Sequence, residues 1–329
     1  MVSDRVRRVD AELLKRWLTD QVIDQQAEYI APAKVNLRLK VTGRRSDGYH
    51  LLSMLNVSAS LCDTLKFQLH RTPDLLLEIK PRGVILTSLA DNLVTKAWNY
   101  FWDEFALGGA PCGVLVSIQK RIPIGGGLGG GSSDAGATLR FLRDVFAKEI
   151  QEALGISNDE FTERILSVAL KVGADVPYAY FGGTCWVTWI GDEIRLIPRM
   201  PLDSRRIFIV MPAVSVPTVE FYSFYRQRRP VIDPTDDQMM QRLVKGEFSG
   251  ALGELIENDF EEEIINFRPA VGEALKLARE FYPDTSSITG SGAAIFSLIQ
   301  GETSSIEANF RHEMDKMGMM VYSADLIIG

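Results

Sequence analysis

The residues best suited to chemistry stand in one stretch, "PIGGGLGGGSSDAG", residues 123–136. Glycines lack Cβ atoms, so successive backbone N–H groups of such a loop can close around phosphate oxygens. A helix starting near Ser133 would aim its positive end at the same place. Ser132 and Ser133 can cap that helix, bind a phosphate oxygen or reach a Mg²⁺ ion, and Asp134 is a further capping candidate. Two other readings compete with the cradle. A linker is the plain reading of a glycine- and serine-rich run, but this run sits between a strand pattern and a helix pattern. A dinucleotide fingerprint is matched by Gly125, Gly127 and Gly130, yet six of the seven residues from 125 to 131 are glycine, so any spacing would match. No strand ending in an acidic residue follows at the required distance. A Walker A loop is excluded because Gly131 is followed by Ser132 and not by lysine.

Phosphoryl transfer needs positioning, charge neutralisation and a base for the attacking hydroxyl. Asp175 is the candidate base; it follows a helix that stops at Gly173, and Val176-Pro177 is expected to hold the next step extended. Lys34 is the candidate partner, on the polar face of a strand beside Asn36. An ammonium near Asp175 would keep the carboxylate ionised. From the residues alone, a turn aspartate and a solvated strand lysine are the plain alternatives. Tyr49 and His50 follow the turn Ser46-Asp47-Gly48, where a tyrosine face can stack on a base and an imidazole can hydrogen-bond its edge.

The elements that must position these groups are legible as periodicities. Val35, Leu37, Leu39 and Val41 alternate with Lys34, Asn36, Arg38 and Lys40, the pattern of a half-buried strand. "LLSMLNVSASL" and "DTLKFQLH" read as two further strands, and 113–123 as another. Helices are expected over 91–105, capped by Asp91 or Asn92, after the glycine loop, and over 160–172. An amphipathic helix over 9–23 is expected to pack on the domain or a partner. From about residue 205 a strand, helices near 236–245 and 262–281, a strand-turn-strand at 286–299, a helix and a final strand follow. The mixture is α+β in both halves, without regular βα alternation.

The chain of 329 residues carries a net charge of −7, which argues against a general nucleic-acid binder. Three widely spaced cysteines indicate neither a disulfide framework nor a zinc knuckle. No apolar run reaches membrane-spanning length, and the N-terminus lacks a secretory pattern, so the expectation is a cytoplasmic protein without membrane partners.

"PIGGGLGGGSSDAG" resembles the second signature of the GHMP kinases, the superfamily of galacto-, homoserine, mevalonate and phosphomevalonate kinases. "APAKVNLRLKVTGRRSDGYHLL", "GADVPYAYFGG" and "ENDFEEEI" resemble segments of its branch acting on a cytidine diphosphate sugar alcohol, and "ITGSGAAIF" resembles the third GHMP signature. The resemblance implies a two-domain α+β fold, with a ribosomal-protein-S5-domain-2-like N-terminal domain and a ferredoxin-like C-terminal domain. Residues 1–28 would be a helical extension, 29–204 the ATP-binding domain and 205–329 the substrate domain. It implies ATP-dependent phosphorylation of a 2-hydroxyl in non-mevalonate isoprenoid synthesis, with Mg²⁺. Pro123, Ile124, Gly125, Gly126, Gly127, Leu128, Gly129, Gly130, Gly131, Ser132 and Ser133 would hold the ATP phosphates, with Ser132 also the candidate metal ligand. Asp175 would be the base and Lys34 its partner, Asn36 would contact substrate, and Tyr49 and His50 would meet the cytosine. Thr218 and Tyr222 match a substrate threonine and a second stacking aromatic, with Phe221 the alternative if the register slips. Gly290, Ser291 and Gly292 would support the transferred phosphate. Two departures stand out: Tyr222 replaces the usual phenylalanine, and Gly136 the usual alanine, the latter with little expected effect. The Gly191-Asp192-Glu193 turn lacks the small residues usual nearby.

Overall fold

The computed structural model describes residues 7–18, 22–23, 26–80, 88–198, 200, 205–216, 220–221, 225, 232–301 and 304–328. The chain forms two compact units, each drawn from separate stretches: 1–31, 62–121 and 131–181 in the first, 32–61, 122–130 and 182–329 in the second. The chain passes between the units within its long strands and at both ends of the glycine loop.

The first unit contains β1 (Val9–Asp10), α1 (Ala11–Trp17), the start of β2 (Gln26–Arg44), the end of β3 (His50–His70), β4 (Leu75–Lys80), α2 (Leu93–Phe105), β5 (Ala106–Leu107) and β6 (Gly113–Gln119). It continues with α3 (Gly130–Leu154), whose first residue is the last of the glycine loop, then α4 (Asn158–Val172) and α5 (Val176–Phe181). Residues 64–70 of β3 pair antiparallel with β6, and β4 pairs parallel with β6. Helical spacing puts Phe101, Trp102, Phe105, Phe141, Phe146 and Phe161 into one apolar core, with the Phe67 and Phe141 rings stacked at 4.3 Å. Asn92 caps α2, its side chain accepting from Val94 N, and Ser157 caps α4 in the same way through Glu160 N. The helix expected over 9–23 is shorter: Val9–Asp10 pairs with Ala106–Leu107 as strand, and Asp10 caps α1. Leu14 and Leu18 enter the core of this unit, so the segment packs on its own domain.

The second unit holds the rest of β2 and β3, then β7 (Thr184–Trp189), β8 (Glu193–Leu196), β9 (Arg206–Met211), α6 (Gln238–Val244), β10 (Glu257–Asn258), α7 (Glu261–Phe267) and α8 (Pro269–Phe281). It closes with β11 (Ser286–Ile288), β12 (Ile295–Leu298), α9 (Ser304–Lys316) and β13 (Met320–Ile327). β11, β12, β9 and β13 form an antiparallel run, β13 pairs with Ala59 and Ser58 of β3, and β7 pairs with residues 52–57 of β3. β10 lies parallel to β2 at Arg38 and Leu39.

Several expectations change. The two strands expected around residue 60 are one strand of 21 residues. The helix expected over 262–281 breaks at Arg268, whose φ of −140° and ψ of 85° are forced by the following Pro269. Val176-Pro177 is not extended: both residues open α5, where a proline in the first turn loses no hydrogen bond. The Gly191 turn is kept, with φ 105°, between β7 and β8. Gly136 is not a neutral departure, because a Cβ there would stand 2.6 Å from the Ala179 carbonyl carbon and oxygen.

Candidate active site

Within the second unit the glycine loop is built as a concavity. Gly125, Gly127 and Gly129 take φ of 81°, 77° and 69°, alternating with residues of ordinary φ. Such alternation turns successive N–H groups toward one side, which is how a backbone anion nest forms. Leu128 is buried and anchors the loop, while Ile124 is exposed. A second loop, Thr289–Gly292, seats against it. Ala294 N donates to Gly126 O at 3.1 Å, and Thr289 N donates to Ala294 O at 3.0 Å. A Cβ at Gly127 would meet Gly292 Cα at 2.9 Å, so the two backbones touch directly. Asn258 holds the second loop from behind, its amide donating to Ile288 O at 2.8 Å and Gly290 O at 2.9 Å. That contact gives "ENDFEEEI" its structural role.

Lys34 and Asn36, on the polar face of β2, point at this seam, while Arg38 of the same face pairs with Asp237 and Glu257. Lys34, Asn36 and Arg38 are all buried, so the half-solvated strand expected from alternation is buried on both faces. Lys34 N donates to Leu128 O at 2.8 Å, which fixes the strand to the loop. Asn36 N donates to Thr289 Oγ1 at 2.8 Å, and its side-chain amide donates to Asn56 Oδ1 at 2.5 Å. Asn36 Oδ1 is buried with no hydrogen-bond partner among the described residues, and a Cβ at Gly290 would lie 3.0 Å from it. Sequence reading missed Asn56 and Thr289; an asparagine within the apolar run "LLSMLNVSAS" was the available signal.

Tyr49 is 60% exposed, whereas His50 is buried with its ring edge-on to Tyr225, centroids 5.2 Å apart. Burial, and secondarily the Arg44 guanidinium, hold the imidazole pKa below its usual value, so the ring is neutral near pH 7. Tyr225 was not anticipated. Phe221, the alternative stacking residue, is fully buried against Phe260, with ring centroids 5.2 Å apart, and serves as core. Thr218 and Tyr222 lie outside the described residues.

The first unit carries the groups that follow the loop and Asp175. α3 already begins at Gly130, so Ser132, Ser133 and Asp134 lie inside its first turns and are not its caps. Asp134 instead faces Lys120, three residues before Pro123 at the start of the glycine loop. Lys120 Nζ donates to Asp134 Oδ2 at 2.6 Å and to Asp63 Oδ2 at 2.5 Å, and Arg121 N donates to Asp63 Oδ1 at 2.5 Å. One buried ion trio thus ties the stem before the loop to the stem after it. Burial outweighs the pull of Lys120, and Asp63 adds like charge, so the Asp134 carboxyl is pushed up to about 7. A raised folded-state value means that stability is full below the ordinary 3.8 and declines as pH rises toward about 7. Lys120→Met removes the cation that faces two buried carboxylates and should cost about 3–5 kcal/mol, on the order of 10 °C in Tm. The deficit should shrink from pH 8 to pH 5 as the Asp134 carboxylate takes up a proton; equal deficits in thermal melts at both values would contradict this account. Asp175 is half-buried at the start of α5, its carbonyl accepting from Ala179 N at 3.0 Å.

A glycine loop of alternating φ leading into a long helix, on an α+β fold, agrees with the resemblance to the GHMP kinases. The profile described as "GHMP kinases N terminal domain" matches residues 92–183. The 4-diphosphocytidyl-2-C-methyl-D-erythritol kinase of Clostridium acetobutylicum is 30% identical over 87% of this chain and 95% of its own. The kinase of the same name from Geobacillus sp. is 31% identical over 83% of this chain and 88% of its own. Among solved structures, a 4-(cytidine 5'-diphospho)-2C-methyl-D-erythritol kinase superposes with a TM-score of 0.67 at 26% identity, covering 92% of this chain and all (100%) of that one. The homoserine kinase of Cytophaga hutchinsonii shares the fold, with a TM-score of 0.66 at 17% identity over 95% of this chain and 98% of that one. The chain belongs to the 4-diphosphocytidyl-2-C-methyl-D-erythritol kinase family and is a kinase. Among the described residues no helix is long and apolar enough to cross a membrane.

Proposed function

We propose that this kinase transfers the γ-phosphoryl group of ATP to the 2-hydroxyl of 4-diphosphocytidyl-2-C-methyl-D-erythritol, in the cytoplasm, as a step of non-mevalonate isoprenoid synthesis. The observation that carries the transfer chemistry is the seam of two glycine loops with the buried Lys34 and Asn36 of β2 against it. The acceptor is carried by the relatives' names together with the Asp47-Gly48-Tyr49-His50 turn.

ATP supplies the phosphoryl group, and residues 123–133 fit its phosphates, because the loop is kept bare: a side chain at Gly127 would collide with the neighbouring loop and one at Gly126 with Met211. Backbone N–H groups of the loop and the positive end of α3 offset the phosphate charge. Gly290, Ser291 and Gly292 back that loop from the acceptor side. Mg²⁺ is proposed as the counter-ion with Ser132 as its protein ligand, half-exposed in the first turn of α3. Among the described residues no group of three His, Cys, Asp or Glu side chains could hold a metal. A nucleotide-bound Mg²⁺ needs none, since phosphates and water fill most of its shell. Asp175 takes the hydroxyl proton, with Lys34 as its partner. Asn36 offers its unpartnered Oδ1 to a donor on the substrate. A neutral His50 presents one donor and one acceptor, suited to a base edge, while the exposed face of Tyr49 stacks on the ring. Thr218 and Tyr222 complete the proposed substrate set. Residues 29–204 serve as the ATP-binding domain and 205–329 as the substrate domain.

A coupled ADP-release assay with ATP, Mg²⁺ and the cytidine substrate, run beside mevalonate, homoserine and galactose, tests the assignment. Turnover confined to the cytidine substrate is expected. Faster turnover with another alcohol would keep the kinase and overturn the acceptor; nucleotide binding without any transfer would point to a regulator that retains the cradle.

A further inference from the structure

Helix α3 grips α5 at two points four residues apart, and therefore on one face. At Gly136 the grip is backbone on backbone: a Cβ there would stand 2.6 Å from Ala179 C and O and 2.9 Å from Tyr180 N. At Arg140 it is a clamp. Arg140 Nη1 donates to Ala179 O at 2.5 Å and Tyr180 O at 3.3 Å, and Nη2 donates to Ile30 O at 2.8 Å. Among the described residues its hydrogen-bond partners are all main-chain carbonyls. A helix of six residues leaves every carbonyl of its last turn without an internal donor, and a cation at that end also meets the negative pole of the helix dipole. Arg140 answers both needs.

The other end of α5 is Asp175. Its carbonyl accepts from Ala179 N, while the carbonyl of the same Ala179 accepts from Arg140. Arg140 is thus one residue removed from the first hydrogen bond of the turn that carries the aspartate. The same helix α3 begins in the glycine loop, at Gly130.

We propose that Arg140, with Gly136 beneath it, is a positioning residue for phosphoryl transfer: it seats α5 against α3 and so fixes the Asp175 carboxylate relative to the helix that leads from the phosphate loop. The proposal rests on the reading of Asp175 as the base. A residue that only stabilised the fold would lower the amount of active enzyme and leave the turnover of the folded fraction unchanged. A positioning residue lowers kcat of folded enzyme, because a shift of about 1 Å in a reacting group costs on the order of 10²-fold.

The test is a kinetic cycle on folded protein, with thermal melts confirming the fold of each variant. Arg140→Gln is expected to lower kcat by about 10- to 100-fold with the KM for ATP within about twofold of the parent. Arg140→Lys, which keeps the charge and some of the donors, should recover part of the loss. Gly136→Ala, which displaces α5 without touching a charge, should show the same split and serves if Arg140→Gln fails to fold. In an Asp175→Asn background, Arg140→Gln should add less than about twofold, since residues acting through one group are not additive. Wild-type kcat in Arg140→Gln and Gly136→Ala, or a full multiplicative loss on top of Asp175→Asn, would overturn the positioning role alone. Undiminished turnover in Asp175→Asn itself would instead remove the base reading beneath it.

Discussion

Asparagine at position 175 lowers kcat for the cytidine substrate by about 10²–10⁴-fold, the range a positioned general base contributes. The substitution is nearly isosteric. The Asp175 carbonyl still accepts from Ala179 N, so α5 keeps its start and the local fold is undisturbed. An amide cannot take a proton from the attacking hydroxyl, and it removes the negative charge that Lys34 is proposed to face. The glycine loop is backbone-built and owes nothing to residue 175, so the KM for ATP should stay within about twofold. Steady-state kinetics with both substrates varied decide the matter. A kcat within a few-fold of the parent, with melting unchanged, would show that the acceptor hydroxyl loses its proton without Asp175.

The sequence made the glycine loop, Lys34 and Asn36 visible, because both signals are local: glycine spacing in one case and period-two alternation in the other. Alternation assigns residues to faces but does not say what covers a face. The even positions of β2 were therefore expected in solvent, whereas Lys34, Asn36 and Arg38 are buried. Thr289 and Gly290 cover Lys34 and Asn36, and Asp237 and Glu257 pair with Arg38; all of them are distant in the chain, and no local pattern announces the contact. The Pro269 break was readable and was overlooked; the proline rule applied there as it did at Pro177, where helix geometry prevailed over the expected extension. Tyr225, Lys120, Asp63 and Arg140 escaped for one physical reason. Each acts through a partner brought near only by tertiary folding, such as His50 for Tyr225 and Ala179 for Arg140.

Gly292→Ala is expected to lower kcat/KM for ATP by about 10²-fold, as a displacement on the order of 1 Å at the reacting centre does. The argument is steric. A Cβ on residue 292 would overlap Gly126 C and O and Gly127 N, and all three are main-chain atoms with no rotamer by which to yield. Either the second loop retreats or the glycine loop does. The first breaks the bond from Ala294 N to Gly126 O, and the second pulls Gly127 out of the concavity that its φ of 77° helps to shape. Overpacking of this kind also costs about 1–3 kcal/mol of stability. Gly301→Ala is the comparison: residue 301 has a φ of 73° but open space around it, so alanine there meets only backbone strain and leaves kinetics intact. The discriminating quantity is the ratio of effects on ATP and on acceptor. If the two loops jointly shape the phosphate site, the loss falls on ATP kinetics and kcat, while binding of the cytidine end, measured by titration without ATP, is retained. Equal weakening of both ligands would mean that Gly292 holds the second unit together as a whole and has no particular claim on the phosphate.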